Sequence, residues 1–159
     1  MSTIDELIQR LRTAEIGKST PTLDALTRIG APAIPALLAV LLTKDDNWRA
    51  WSRAATVLSR IGPDAVPALV EAAVNSKAGP AFAGLRDMGP PAVPALLELL
   101  RHEKERVRLC AAGALVRAGQ AAVPALVERA TDEREVDTVR SAARITLERI
   151  APGFGGMLS

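Results

Sequence analysis

The sequence predicts an all-α solenoid of about five helical hairpins. Three observations lead to this prediction. A glycine-and-proline motif recurs along the chain at intervals of 27 to 32 residues, which is the spacing of stacked helical repeats. Apolar residues between the motifs recur at helical spacing. The 159-residue chain is 48% apolar but only 3% aromatic, so it is poor in the residues that strands favour.

The motif is a glycine with Pro-Ala-Leu beginning five residues later. A glycine after an apolar helical stretch suits the residue that ends a helix with a positive φ. A proline suits the first turn of a helix, where it removes no intrahelical hydrogen bond. Each motif therefore predicts the end of one helix and the start of the next. The glycines are Gly30, Gly62, Gly89 and Gly119, the prolines are Pro35, Pro67, Pro94 and Pro124, and a decayed junction follows Ile150.

These junctions divide the chain into five hairpins, whose first and second helices are called A and B here. A short hairpin cannot bury its apolar face alone, so we expect the hairpins to stack side by side. Together they form one predicted repeat domain, followed by a flexible tail. The hairpins span residues 3–29, 32–61, 64–88, 91–118 and 121–150, and the tail spans residues 151–159.

Local signals predict several helix ends. Thr3 and Glu6 have the spacing of a capping box at the first helix. Thr20 and the proline after it predict the start of its partner. Asp64 is the predicted N-cap of the third A helix, because its carboxylate can accept from a free backbone N–H.

The last three B helices differ from one another. Gly84 lies inside the third B helix, so we expect that hairpin to be the weakest. The fifth B helix carries Arg144 and Glu148 where the fourth has small apolar residues, as expected of a helix with no following repeat.

Charge and cysteine content favour a cytoplasmic protein. The formal net charge is +2, well below that of a histone-like DNA-binding protein. Cys110 is the only cysteine, so no internal disulfide can form. The first residues lack a signal-peptide pattern. The longest apolar run, residues 31–42, is too short for a membrane span and contains two prolines.

The motif Ile/Met-Gly-x-x-Ala-Val/Ile-Pro-Ala-Leu-Leu/Val resembles the HEAT-like repeat, and more narrowly the phycobilin-lyase type of that repeat. Val107-Arg108 and Val139-Arg140, which open later B helices, strengthen the resemblance, which covers residues 1–150. The resemblance implies a right-handed superhelix whose B helices line a concave surface. It also implies binding of other macromolecules.

The sequence carries no recognisable catalytic or metal-binding pattern. His102 is the only histidine, and a zinc site needs three or four protein ligands. Cys110 lies eight residues away in a different predicted element, so the two do not form a nucleophile–base pair. The glycines follow helices rather than strands, which does not fit a phosphate-binding loop. We therefore expect a non-enzymatic protein without a cofactor, metal or small-molecule ligand.

Arginine recurs two residues before the position of the motif glycine, near the end of four of the five B helices. These residues are Arg28, Arg60, Arg117 and Arg149. Arg49 and Arg53 extend this pattern in the second hairpin. One interpretation is that each arginine offsets the dipole at a helix C-terminus. The other is that they form a basic surface that faces an acidic protein or a nucleic-acid backbone.

Trp48 and Trp51 lie three residues apart at the start of the second B helix, and neither falls at a core position of the repeat. One interpretation is that both rings fill space beside the short first B helix. The other is a binding hot spot, which tryptophan and arginine typically form. The predicted partner-binding residues are Trp48, Trp51, Arg49, Arg53, Arg60, Arg28, Arg117 and Arg149.

The leading functional hypothesis is a non-catalytic module for protein–protein interaction that binds an acidic partner through the basic B-helix surface. Such a module can be a scaffold, or an adaptor or regulatory partner of the small bacterial type that the resemblance implies. The alternative is nucleic-acid binding, since a HEAT-like family of alkylpurine DNA glycosylases holds duplex DNA on a basic face. A remote alternative is a non-catalytic subunit of a bilin lyase-like or other enzyme complex.

Overall fold

The computed structural model describes residues 2–76 and 79–157, and all regular structure in these ranges is helical. The fold class is therefore all-α, as predicted. The helices are α1 (Ile4–Thr13), α2 (Thr20–Ile29), α3 (Ile34–Leu42), α4 (Trp48–Ile61), α5 (Val66–Asn75), α6 (Gly79–Met88), α7 (Val93–Leu99), α8 (Glu105–Ala118), α9 (Val123–Thr131) and α10 (Asp137–Ile150).

The glycine-and-proline junctions lie where the sequence predicts them. Each junction glycine follows a B helix with a positive φ, and each motif proline is the second residue of the next A helix. The left-handed backbone at these positions explains why glycine is used, since a Cβ would be strained there. The φ angles are 72° at Gly30, 102° at Gly62, 77° at Gly89 and 62° at Gly119.

A short 3₁₀ turn comes directly before each of α3, α5, α7 and α9, and it corrects one prediction. Asp64 is not an N-cap, because it lies inside the turn Pro63–Ala65. The N-cap of α5 is Ala65, which offers no side-chain acceptor. The backbone N–H of Ala65 donates to the carbonyl of Gly62 over 2.9 Å, so the turn satisfies the backbone locally. The capping box of Thr3 with Glu6 and the start of α2 at Thr20 are confirmed.

The structure has two compact units, residues 1–88 and residues 89–159, which are called the N-terminal and C-terminal units below. In the N-terminal unit, A helices contact A helices and B helices contact B helices: α1 with α3, α3 with α5, α2 with α4, and α4 with α6. This is the side-by-side stacking of a solenoid. Its interior consists mainly of fully buried leucines and small alanines.

The C-terminal unit repeats the same arrangement, with α7 against α9 and α8 against α10. Leu96, Leu115, Leu126 and Leu147 are fully buried there. Arg144 and Glu148 on α10 are exposed, as predicted for the last repeat. The extent of a single repeat domain over residues 1–150 stays a prediction.

Gly84 allows α6 to pack closely against its neighbours. A Cβ at this position would lie 2.9 Å from Cδ2 of Leu69 and 3.1 Å from the carbonyl oxygen of Ala55. Both distances are too short for any other residue unless the neighbours move. Gly84, which the sequence predicts to weaken the third hairpin, thus permits its packing on α4 and α5.

The tail begins with a bend after α10 and a 3₁₀ turn, Gly155–Met157. Met157 is 79% exposed. Residues 158 and 159, which belong to the predicted flexible tail, lie outside the described residues.

One helical run, Glu105–Thr131, meets the length and hydropathy of a membrane span, with a mean hydropathy of 1.4. Gly119 interrupts this run with a φ of 62°, at the junction between α8 and α9. A second apolar stretch, Thr20–Leu42, is bent by 111° at its own junction. Both stretches thus contain the glycine junction that separates consecutive repeats.

Candidate functional site

Trp48 and Arg49 form an exposed pair at the first turn of α4. The side chain of Trp48 is 62% exposed. The guanidinium carbon of Arg49 lies 5.7 Å from the centroid of the Trp48 ring, within the range of a cation–π contact. Asn47 fixes the start of the helix, since its side-chain oxygen accepts from the N–H of Ala50 over 3.1 Å. An ordered helix start therefore presents a large apolar ring and a cation to solvent.

Trp51, one turn further along α4, is half-buried and faces a cavity of about 260 Å³. Its indole Nε1 is buried and has no hydrogen-bond partner among the described residues. At the same position of the repeat in α8, Arg108 donates to the carbonyls of His102 and Glu103 over 2.7 and 2.8 Å. Trp51 thus occupies a position that another repeat uses to bind its own preceding loop.

Arg53 is predicted as a partner-binding residue, but its guanidinium binds the end of α1. It donates to the carbonyl oxygens of Leu11 and Ala14 over 2.8 and 2.9 Å. Carbonyls at a helix C-terminus have no partner within their own helix. The role of Arg53 in the structure is therefore to cap α1, a contact between residues about 40 positions apart that no local pattern indicates.

Arg28 and Arg60 lie in the last turns of α2 and α4, and both are exposed. Arg60 forms an ion pair of 3.3 Å with Asp24 of α2. Arg28 makes no ion pair with any residue that the structure describes. Among the residues that the structure describes, Arg28 and Arg49 thus remain as cations without an ion pair on the predicted basic surface of the N-terminal unit, while Asp24 offsets part of the charge of Arg60.

In the C-terminal unit, Arg117 and Arg149 are exposed in the last turns of α8 and α10. Leu109 and Ile145 on the same two helices are 66% and 63% exposed. Gly113 occupies the repeat position of Ile145, and the space around it is open. Apolar and basic side chains are therefore exposed on the same pair of B helices in this unit.

The structure also contains a polar cluster that the sequence patterns do not indicate. The side chain of Glu135, before α10, is only 4% exposed. It accepts from Arg129 over 2.9 Å and also pairs with Arg101, and both arginines pair with Glu98. The hydrogen bond from Arg101, together with those from Arg129 and the N–H of Val136, lowers the pKa of Glu135 to about 2, although burial opposes this shift. The cluster joins the ends of α7 and α9 to the start of α10.

His102 and Cys110 are the two residues whose side chains could suit catalysis, and neither belongs to a cluster of metal ligands in the described part of the chain. Nδ1 of His102 accepts from the backbone N–H of Lys104 over 3.1 Å, and Cys110 is a half-buried free thiol. Within residues 2–76 and 79–157 there is no group of three or more His, Cys, Asp or Glu side chains with the geometry to hold a metal ion.

The fold and these sites define a helical-repeat protein. A family model described as HEAT repeats matches residues 80–148. A solved structure of the complex of CpcE and CpcF of phycocyanin lyase from Nostoc sp. PCC7120 has the same fold, with 22% identity and a TM-score of 0.50 over 90% of this chain and 96% of that chain. Residues 80–148 therefore resemble HEAT repeats, and the chain has the fold of a helical-repeat protein.

A second solved structure, an engineered protein from a structural genomics consortium, is 21% identical with a TM-score of 0.36, over 94% of this chain and 80% of that one. A search of curated proteins finds no match.

Proposed function

We propose that the chain is a non-catalytic, cytoplasmic module for protein–protein interaction, and that Trp48 and Arg49 form the centre of its binding surface. HEAT repeats favour an interaction or scaffold role, and the observation that carries the proposal is the exposed Trp48–Arg49 pair. Tryptophan and arginine are enriched among the residues that dominate binding energy at protein interfaces. A large exposed ring on an ordered helix start also loses little conformational freedom when it is buried.

The charges around this pair support an acidic partner. Arg49 and Arg28 are exposed in the same unit and form no ion pair with a residue that the structure describes, whereas Arg60 is already paired with Asp24. A partner surface with carboxylates would be attracted to these unpaired cations, which favours encounter and correct orientation. In the comparison structure, CpcE and CpcF associate with each other, which supports the idea that chains of this fold act in complexes.

The test uses the source organism and two matched variants. The double variant Trp48→Ala, Arg49→Glu removes an exposed ring and reverses one charge. The control Val136→Ala, Arg144→Glu makes the same kinds of change at exposed positions of the C-terminal unit. Each full-length chain captures partners from lysate, and each candidate partner is then purified and its affinity measured.

We expect one partner to bind the wild type and the control equally and to bind the Trp48–Arg49 variant at least tenfold more weakly. Circular dichroism should show that both variants keep the same helix content and Tm. A partner that binds all three chains with one affinity would contradict the assignment of the surface. The absence of any saturable partner would contradict the proposed function.

Nucleic-acid binding is the alternative that the same reagents test. Arg53 contacts carbonyls of its own chain and Arg60 pairs with Asp24, so fewer unpaired cations are available to phosphates than the sequence predicts. A labelled DNA duplex at low salt distinguishes the two functions, because binding to phosphates falls steeply as salt rises. We expect no saturable shift of the duplex. A salt-dependent shift that Arg49→Glu weakens would favour nucleic-acid binding instead.

A further inference from the structure

A groove runs along the first hairpin, between α1 and α2. It encloses about 520 Å³, and all of its lining residues belong to residues 2–29. Half of its lining residues are apolar, and the polar ones are two small side chains and two arginines. The lining residues are Ser2, Leu7, Arg10, Pro21, Thr22, Ala25, Arg28 and Ile29. The groove thus combines apolar side chains with two basic ones.

Arg10 and Arg28 give the groove its charge. Arg10 lies in the last turn of α1 and Arg28 in the last turn of α2. Neither forms an ion pair with a described residue, and no acidic side chain lines the groove. An occupant that carries carboxylates beside its apolar contacts would therefore complete the site, whereas a basic occupant would be repelled.

The way in which hairpins pack in this unit indicates the shape of the occupant. The same two helices, α1 and α2, are covered elsewhere by α3 and α4, which pack against them as helices. Each wall of the groove is a ten-residue helix, about 15 Å long. A helix laid in such a groove places apolar side chains at intervals of three and four residues along it.

We infer that the groove between α1 and α2 binds an amphipathic helix of a partner protein, with acidic side chains that pair with Arg10 and Arg28. This inference rests on the proposed function as a protein-binding module, and it adds a second contact surface and the chemistry of its ligand. Arg28 adds charge to both surfaces. Arg10 and Ala25 line the groove, whereas Trp48 and Arg49 lie outside its lining, so each surface can still be altered alone.

The probes are two synthetic peptides of about 15 residues, long enough to span the groove. Both have the same leucine stripe and the same lactam bridges on the outer face, which hold them helical. One carries glutamates beside the stripe and the other carries lysines. Fluorescence anisotropy with the full-length chain measures both affinities. Amide chemical shifts from NMR locate the bound peptide.

We expect the glutamate peptide to bind at least tenfold more tightly than the lysine peptide and to shift the amides of α1 and α2. The variant Arg10→Glu, Arg28→Glu should reverse this preference, because it reverses both charges at exposed positions. If the charge reversal impairs folding, the milder variant Arg10→Gln, Arg28→Gln replaces it. This variant should abolish the preference for the glutamate peptide. Ala25→Trp, which fills the groove, should weaken both peptides. The control Arg144→Glu should change neither affinity.

Equal affinity for the two peptides, an unchanged preference in the charge-reversed variant, or shifts outside α1 and α2 would overturn the inference. Sedimentation that shows self-association, lost in the Arg10–Arg28 variant, would make a second copy of the chain the occupant instead. If the cellular partner depends on Trp48 while the peptides do not bind, this inference fails and the proposed function stands. If the peptides bind as expected but no partner depends on Trp48, this inference stands and the assignment of the Trp48–Arg49 surface fails.

Discussion

The guanidinium of Arg53 donates a hydrogen bond of 2.8 Å to the carbonyl oxygen of Leu11, the last buried residue of α1. A second hydrogen bond, to Ala14, completes the cap. Arg49, one turn earlier on the same helix, faces solvent and the ring of Trp48. Two arginines of similar appearance in the sequence therefore have different roles, which stability measurements can separate.

Arg53→Glu should destabilise the protein by about 2 kcal/mol, because charged hydrogen bonds contribute roughly 1.5–3 kcal/mol each and partial exposure reduces that value. It also places a negative charge at a helix C-terminus, where the dipole disfavours it. Arg49→Glu should change stability by no more than about 0.5 kcal/mol, as exposed substitutions do. Urea denaturation of both variants checks this difference, and equal stability would contradict the capping role.

The pH dependence of stability should reveal the buried carboxylate of Glu135. Its pKa in the folded protein is about 2, against 4.5 as the ordinary value. A lowered pKa means that the ionised form stabilises the fold above pH 4.5, and that this contribution is lost as the pH falls toward 2. Glu135→Gln should cost about 1.5–3 kcal/mol at neutral pH.

Thermal unfolding of the wild type and Glu135→Gln across this pH range measures the difference. The two stabilities should converge as the pH falls, since the neutral amide resembles the protonated acid. A constant gap between the two curves would show that Glu135 does not titrate in that window. Glu133→Gln, a change at an exposed glutamate close by, serves as the control.

Two helical glycines should respond oppositely to alanine. Gly84→Ala should cost about 1–3 kcal/mol, because its Cβ would lie 2.9 Å from Leu69 and 3.1 Å from the Ala55 carbonyl. Gly113→Ala meets open space within α8 and should stabilise the protein by about 0.5–1 kcal/mol through helix propensity. Guanidinium denaturation measures both. A stabilising Gly84→Ala would mean that α6 can move away from α4 without loss.

Trp51→Phe should leave stability unchanged or raise it. The buried indole N–H has no partner within the described part of the chain, and an unsatisfied buried donor costs about 1–3 kcal/mol. Phenylalanine keeps an aromatic ring and removes the donor. Trp51→Ala should instead destabilise through lost packing, and it serves as the control. If Trp51→Phe were as unstable as Trp51→Ala, the N–H would have a partner in solution.

The repeat junctions could be predicted because their signals are local. Gly62 suits a left-handed backbone and Pro67 suits the first turn of a helix, and neither preference depends on contacts with distant parts of the chain. The same local reasoning wrongly predicts Asp64 as an N-cap, because a 3₁₀ turn moves the N-cap of α5 to Ala65. A turn of three residues leaves no pattern that distinguishes it from a loop.

The sites were harder to predict because their contacts join residues far apart in the chain. Nothing near Arg53 indicates that its partners are the carbonyls of Leu11 and Ala14. Glu135 lies in a polar turn, so its burial depends on arginines of two other helices. Exposed residues were easier: Trp48 falls off the apolar stripe of the repeat, and it is indeed exposed.

The links from α4 to α1 have a consequence for engineering. The side-chain amide of Asn47 donates to the carbonyl of Arg12 over 3.2 Å, and Arg53 caps the same helix end. A truncated protein that starts at the second hairpin would leave the donors of Asn47 and Arg53 without these carbonyl partners. It would also expose the surfaces of α3 and α4 that contact α1 and α2. Anyone who grafts or circularly permutes this chain should therefore transfer residues 2–61 as a single module, not one hairpin at a time.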